Sequence, residues 1–176
     1  YRAALIMALV MSASAIHAQT TVDPAEVLNA LLATLREELE STEMFVTIFY
    51  AVLDPGRGTL RYANAGHPHA FLVNGDGAAE RLAALDTPLG MGGTHPTAVE
   101  RPWHAGTDLL LLFTDGIPDA RNRLDARLGE QVVLDIVRDS RREHPSVVVE
   151  RIFDALRSHV GDAIRRDDLT LLVARS

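Results

Sequence analysis

Four stretches of the chain hold residue types that can do chemistry. In Phe113-Thr114-Asp115-Gly116 a carboxylate follows an apolar run directly. An acid held at the end of a buried strand is where a hard cation would take a ligand. The same Asp-Gly pair also makes an ordinary turn. In Arg165-Arg166-Asp167-Asp168-Leu169-Thr170 two adjacent acids precede another apolar run. Their mutual repulsion is relieved either by a bound cation or by the two arginines before them. Asn64-Ala65-Gly66-His67-Pro68-His69 sets His67 in a turn, as a ligand, an acid–base group or, more commonly, a structural hydrogen-bonder. Thr87-Pro88-Leu89-Gly90-Met91-Gly92-Gly93 is glycine-rich and could border a substrate. It lacks the lysine and following helix of a phosphate-cradling loop, and is read as a loop.

The rest of the sequence narrows these options. Cysteine is absent, which removes disulfides, zinc–thiolate sites and thiol nucleophiles together and suits a reducing cytoplasm. No Gly-x-Ser-x-Gly elbow, His-Glu-x-x-His or kinase signature occurs. Two separated aspartate sites, each beside an apolar strand, suit Mg²⁺ or Mn²⁺ held by oxygen ligands, though spacing alone does not separate a metal site from two capped turns. The formal charge of −7 repels phosphate backbones, which argues against nucleic acid as a partner. With 176 residues, 47% apolar and 23% charged, the chain has the balance of one globular domain and not of a disordered or collagen-like one.

The elements that must position these residues are legible from periodicity. Residues 2–18 form an Ala/Leu/Met-rich segment that opens on the charge of Arg2 and contains Ala13-Ser14-Ala15. That pattern also resembles a cleaved leader. It is too short to span a membrane, and a buried helix is the preferred reading. Asp23-Pro24-Ala25-Glu26 starts a second helix with a capping box, and Val27, Leu28, Leu31, Leu32, Leu35 and Leu39 give it an apolar face. From Met44 to Leu53 a nearly continuous apolar run reads as a strand covered on both faces. A turn at 54–58 leads to a strand from Thr59 to Asn64, and Ala70–Val73 is a third strand, closed by Asn74-Gly75-Asp76-Gly77. Thr97–Trp103 and Asp108–Phe113 follow as strands. Two helices come next, one striped by Val132, Val133, Ile136 and Val137. The other carries Val149, Ile152, Phe153, Leu156 and Val160 and stops at Gly161. Leu169–Ala174 ends the chain as a strand. Short links between strands and segregated helices predict an α+β fold with antiparallel sheets.

Taken in order, Phe45–Tyr50, Tyr62-Ala63-Asn64-Ala65-Gly66-His67-Pro68, Pro88-Leu89-Gly90-Met91, Phe113-Thr114-Asp115-Gly116-Ile117 and Asp167-Asp168-Leu169-Thr170 resemble the PPM/PP2C-type phosphatases of the RsbU and SpoIIE group. The resemblance covers nearly the whole chain. It implies a four-layer α-β-β-α sandwich and two Mn²⁺ or Mg²⁺ ions, with Asp115 and Asp167 as metal ligands. Gly116, Asp168 and His67 would support them. The activity implied is metal-dependent hydrolysis of phosphoserine or phosphothreonine on a regulatory protein in sigma-factor control, with no covalent phosphoenzyme. An anti-sigma-factor antagonist is the substrate expected, and an N-terminal sensor or response-regulator domain would act through the first two helices. The setting is cytoplasmic, without membrane contact. The family also carries a Gly-Asp-x-x-Gly-His-Gly motif, with an aspartate bridging the two ions, directly before its Ala-rich helix. The sequence opens where that helix would begin, so the expectation is a single domain over 1–176 lacking its N-terminal part and inactive by itself. A phosphatase-like binding module without catalysis is the alternative.

Overall fold

Helix α1 spans Arg2–His17 and α2 Pro24–Thr42. Strands β1 (Ile48–Asp54), β2 (Thr59–Ala65), β3 (His69–Val73), β4 (Ala79–Arg81), β5 (Val99–Pro102) and β6 (Leu109–Phe113) follow. Helices α3 (Glu130–Ser140) and α4 (Pro145–Val160) then precede β7 (Leu171–Ala174). This computed structural model describes residues 2–92, 95–161 and 168–176. The chain forms two compact units, one made of the residues up to His67 with Ala83–Trp103, the other of Pro68–Leu82 with His104–Ser176.

The first unit holds an antiparallel sheet in the order β1-β2-β5. Its core joins Val27, Leu28, Leu31, Leu35 and Leu39 of α2 to Ala63 and Ala65 of β2. Helix α2 starts as its sequence predicts: an Asp23 carboxylate oxygen accepts from the Ala25 N–H at 2.9 Å, and Pro24 occupies the first turn. The capping box closes differently. Glu26 accepts from the Thr21 hydroxyl, and that hydroxyl in turn accepts from the Asp23 N–H at 3.1 Å.

Two expectations fail in this unit. Helix α1 is not buried: Ile6, Val10 and Ala13 pack into the α2 core, while Leu5, Met7, Met11 and Ile16 keep more than half of their surface exposed. Positions 6, 10 and 13 form one stripe, and a single neighbouring helix covers no more than a stripe. The second concerns β1, which begins at Ile48 rather than Met44, and all seven of its residues are only half-buried. Among the described residues β1 is an edge of its sheet, paired with β2 alone. Ahead of it, Val46 exchanges two 2.9 Å backbone hydrogen bonds with Leu89, and Phe45 is exposed.

The second unit holds an antiparallel sheet in the order β4-β3-β6-β7. Leu109, Leu111 and Phe113 of β6 alternate onto the face that meets Val133 and Val137 of α3 and Val148, Ile152, Leu156 and Val160 of α4. Val148, not Val149, lies on the buried stripe, because 148, 152, 156 and 160 keep an unbroken four-residue spacing. The Gly161 N–H donates to the Arg157 carbonyl at 2.9 Å and ends α4, as expected. Strand β4 has no counterpart in the sequence reading. Its three residues are all exposed, and it forms because the Asn74 side chain closes the turn by accepting from the Asp76 and Ala78 N–H groups.

Candidate functional site

Strand β6 is the support on which the second unit's site is built. Leu109, Leu111 and Phe113 are buried in the sheet–helix core, so the residues that follow inherit a fixed position. The Thr114 N–H donates to the Thr170 carbonyl at 3.1 Å, and the Thr170 N–H donates back to the Thr114 hydroxyl at 3.1 Å. That hydroxyl lies 3.4 Å from the Asp168 carbonyl oxygen. Gly116 completes the approach: a Cβ on it would sit 2.3 Å from the same Asp168 oxygen, which only glycine permits. The two acidic segments singled out from the sequence are therefore neighbours. Asp167 itself lies outside the described residues.

The Asp115 side chain is 64% exposed, and its Oδ1 lies 2.9 Å from His69 Nε2. The other ring nitrogen, Nδ1, lies 2.6 Å from Glu130 Oε2 at the start of α3. The imidazole is 16% exposed and stacks on Phe113 with 4.7 Å between centroids. Glu130 is paired in turn with the Arg81 guanidinium. Arg81 lies over the Phe71 ring at 4.6 Å and donates to the Pro68 carbonyl at 2.6 Å. A line of alternating partners thus runs Arg81, Glu130, His69, Asp115.

Such a carboxylate fits a hard dication in donor type: oxygen donors, one oxygen anchored, the group open to solvent, and no thiolate in the chain. Among the described residues no group of three or more His, Asp or Glu side chains is close enough to hold an ion, so they supply only part of such a site. Of the other residues expected to support it, Gly116 and Asp168 adjoin Asp115 through the backbone contact above. His67 falls in the first unit. Its N–H donates to Asn64 Oδ1 at 2.8 Å and its carbonyl accepts from Asn64 Nδ2 at 2.9 Å, contacts that define a turn.

Sequence reasoning missed His69, Glu130 and Arg81. Glu130 in the first turn of α3 reads as a favourable helix-end charge and nothing more. His69 meets the site through sheet register, which pairs it with Phe113, two residues before Asp115.

The chain resembles known proteins along its whole length. The family model of Stage II sporulation protein E, SpoIIE, matches residues 1–176. Phosphoserine phosphatase RsbU of Bacillus subtilis is 26% identical over 174 residues, which are 98% of this chain and 51% of RsbU. The chain thus spans about half of RsbU and a smaller share of the other curated relatives it matches. The solved SiaA-PP2C domain of Pseudomonas aeruginosa superposes with a TM-score of 0.85 at 23% identity, over 98% of this chain and 70% of that one. The catalytic domain of the serine/threonine phosphatase PstP, solved with two manganese ions, gives 0.67 at 17% identity, over 97% of this chain and 80% of that one. At these identities the structures show a shared fold, the α+β sandwich of two antiparallel sheets with helices that the resemblance implies. The family match leaves out no part of the chain, and on that ground the chain belongs to the SpoIIE family.

Proposed function

We propose that the protein carrying this chain is a metal-dependent protein phosphatase that removes phosphate from serine or threonine of a regulatory protein. The observation that carries this reading is the Asp115 carboxylate, fixed at the end of β6 beside the Asp168 segment in a chain of the SpoIIE family. Asp115 and Asp167 would hold divalent metal, with further ligands from outside these two segments. Mn²⁺ or Mg²⁺, when bound, neutralises the phosphate dianion and eases attack by water. The residues of this chain supply position. The paired backbones of Thr114 and Thr170 fix the spacing between the two acidic segments. The substrate would be a phosphorylated anti-sigma-factor antagonist or a similar small regulator in the cytoplasm, by the resemblance and by the relation to RsbU. An N-terminal sensor or response-regulator domain would act on the layer of α1 and α2. Among the described residues no helix is long and apolar enough to cross a membrane.

The test is phosphate release from a phosphoserine-bearing protein by the full-length protein with Mn²⁺. The expected result is turnover that a chelator abolishes and added Mn²⁺ restores. Absence of turnover, or turnover indifferent to the chelator, contradicts the reading.

A further inference from the structure

We propose that His69 is a positioning residue for Asp115, held in place by Glu130 and Arg81 so that its Nε2 fixes one oxygen of the carboxylate that takes the metal. The inference rests on the reading of Asp115 as a metal ligand. Five contacts restrain the imidazole, its holder Glu130 or Arg81 behind them. The Phe113 stack at 4.7 Å sets the plane of the ring. The Glu130 contact at Nδ1, 2.6 Å, sets the rotation of the ring within that plane. Arg81 pairs with Glu130, and is itself held by the Phe71 ring and the Pro68 carbonyl. With the ring so fixed, Nε2 meets Asp115 Oδ1 at 2.9 Å, and Oδ2 is the oxygen left for a cation.

The physical gain is preorganisation. An exposed aspartate after a strand samples several rotamers, and a metal that needs one of them gives up part of its binding free energy to select it. A donor on one carboxylate oxygen removes that cost in advance. Neighbours of this kind commonly change metal affinity by about 10–100-fold when removed. Arg81 and Glu130 have a second effect: Glu130 adds negative charge near Asp115, and Arg81 offsets it. The device joins β3, β4, β6 and α3, so it forms only when the whole sheet is in register.

Two substitutions separate hydrogen bonding from packing. His69→Phe keeps an aromatic ring to stack on Phe113 but donates nothing; His69→Gln loses the stack but keeps an N–H for Asp115. Mn²⁺ affinity of the full-length protein is read from the free-ion electron paramagnetic resonance signal, with melting temperature measured beside it and Asp115→Asn as the reference. The expected pattern is an affinity about tenfold weaker for His69→Phe, with little change in melting temperature, and His69→Gln within about threefold of the parent. The reverse pattern, Gln weak and Phe intact, assigns the effect to packing and overturns the inference. If Asp115→Asn weakens binding and His69→Phe does not, this inference fails while Asp115 remains a ligand. If Asp115→Asn itself leaves Mn²⁺ affinity unchanged, both readings fail together.

Discussion

Strand β6 has an aspartate just outside each end, and the two sit in different surroundings. Asp108, before the strand, is 2% exposed. Its Oδ2 accepts from the His104 N–H at 2.8 Å and lies 3.0 Å from His104 Nδ1, while the Thr107 hydroxyl is 3.4 Å from Oδ1. Both oxygens are spent on closing the turn that feeds β6. Asp115, after the strand, is 64% exposed and has one oxygen anchored by His69. A buried carboxylate with its donors around it is a structural part, because removing it strands those donors. An exposed carboxylate held by a rigid neighbour retains an oxygen for a ligand. Residue type and strand-end position are the same in both cases; the surroundings differ, and the roles proposed for the two differ with them.

Substitutions at and beside the two aspartates separate their roles. The largest stability effect belongs to Asp108→Ala, which removes a buried carboxylate and leaves the part-buried His104 N–H contact without its acceptor. We expect a loss of about 3 kcal/mol in urea unfolding, with the phosphatase rate per folded molecule unchanged. A stable variant with reduced turnover would reverse the roles given to the two aspartates. Gly116→Ala comes next. Its Cβ would enter within 2.3 Å of the Asp168 carbonyl, so the two acidic segments must separate. A loss of about 2 kcal/mol is expected from overpacking at the edge of a close-packed site. Mn²⁺ affinity should fall with it, and calorimetric titration beside thermal melting checks both.

The same contrast shows what could be read in the sequence. Features that depend on neighbours in the chain were legible. Asp23 and Pro24 start α2, Gly161 ends α4, and the alternation of β6 places Leu109, Leu111 and Phe113 on the helix-facing side. The difference between Asp108 and Asp115 was not available from local pattern, since each borders the same apolar run; only the Thr-Asp-Gly resemblance favoured Asp115. His69, Glu130 and Arg81 were invisible for a stronger reason. His69 lies 61 residues from Glu130 along the chain, and only the pairing of β3 with β6 and the packing of α3 bring them together. The exposure of α1 was missed because an Ala/Leu/Met-rich helix does not state how many neighbours it has. Strand β4, three exposed residues long, carries no periodic signal at all.

The role proposed for the aspartate after β6 is in chemistry and not in stability. Asp115→Asn in the full-length protein tests it, with phosphate release and thermal melting measured on the same preparation. Because Asp115 is mostly exposed, stability should change by less than about 0.5 kcal/mol. Turnover with Mn²⁺ should fall by on the order of a thousandfold. A variant that keeps the parent's rate, or one that unfolds before its activity can be measured, would contradict the account.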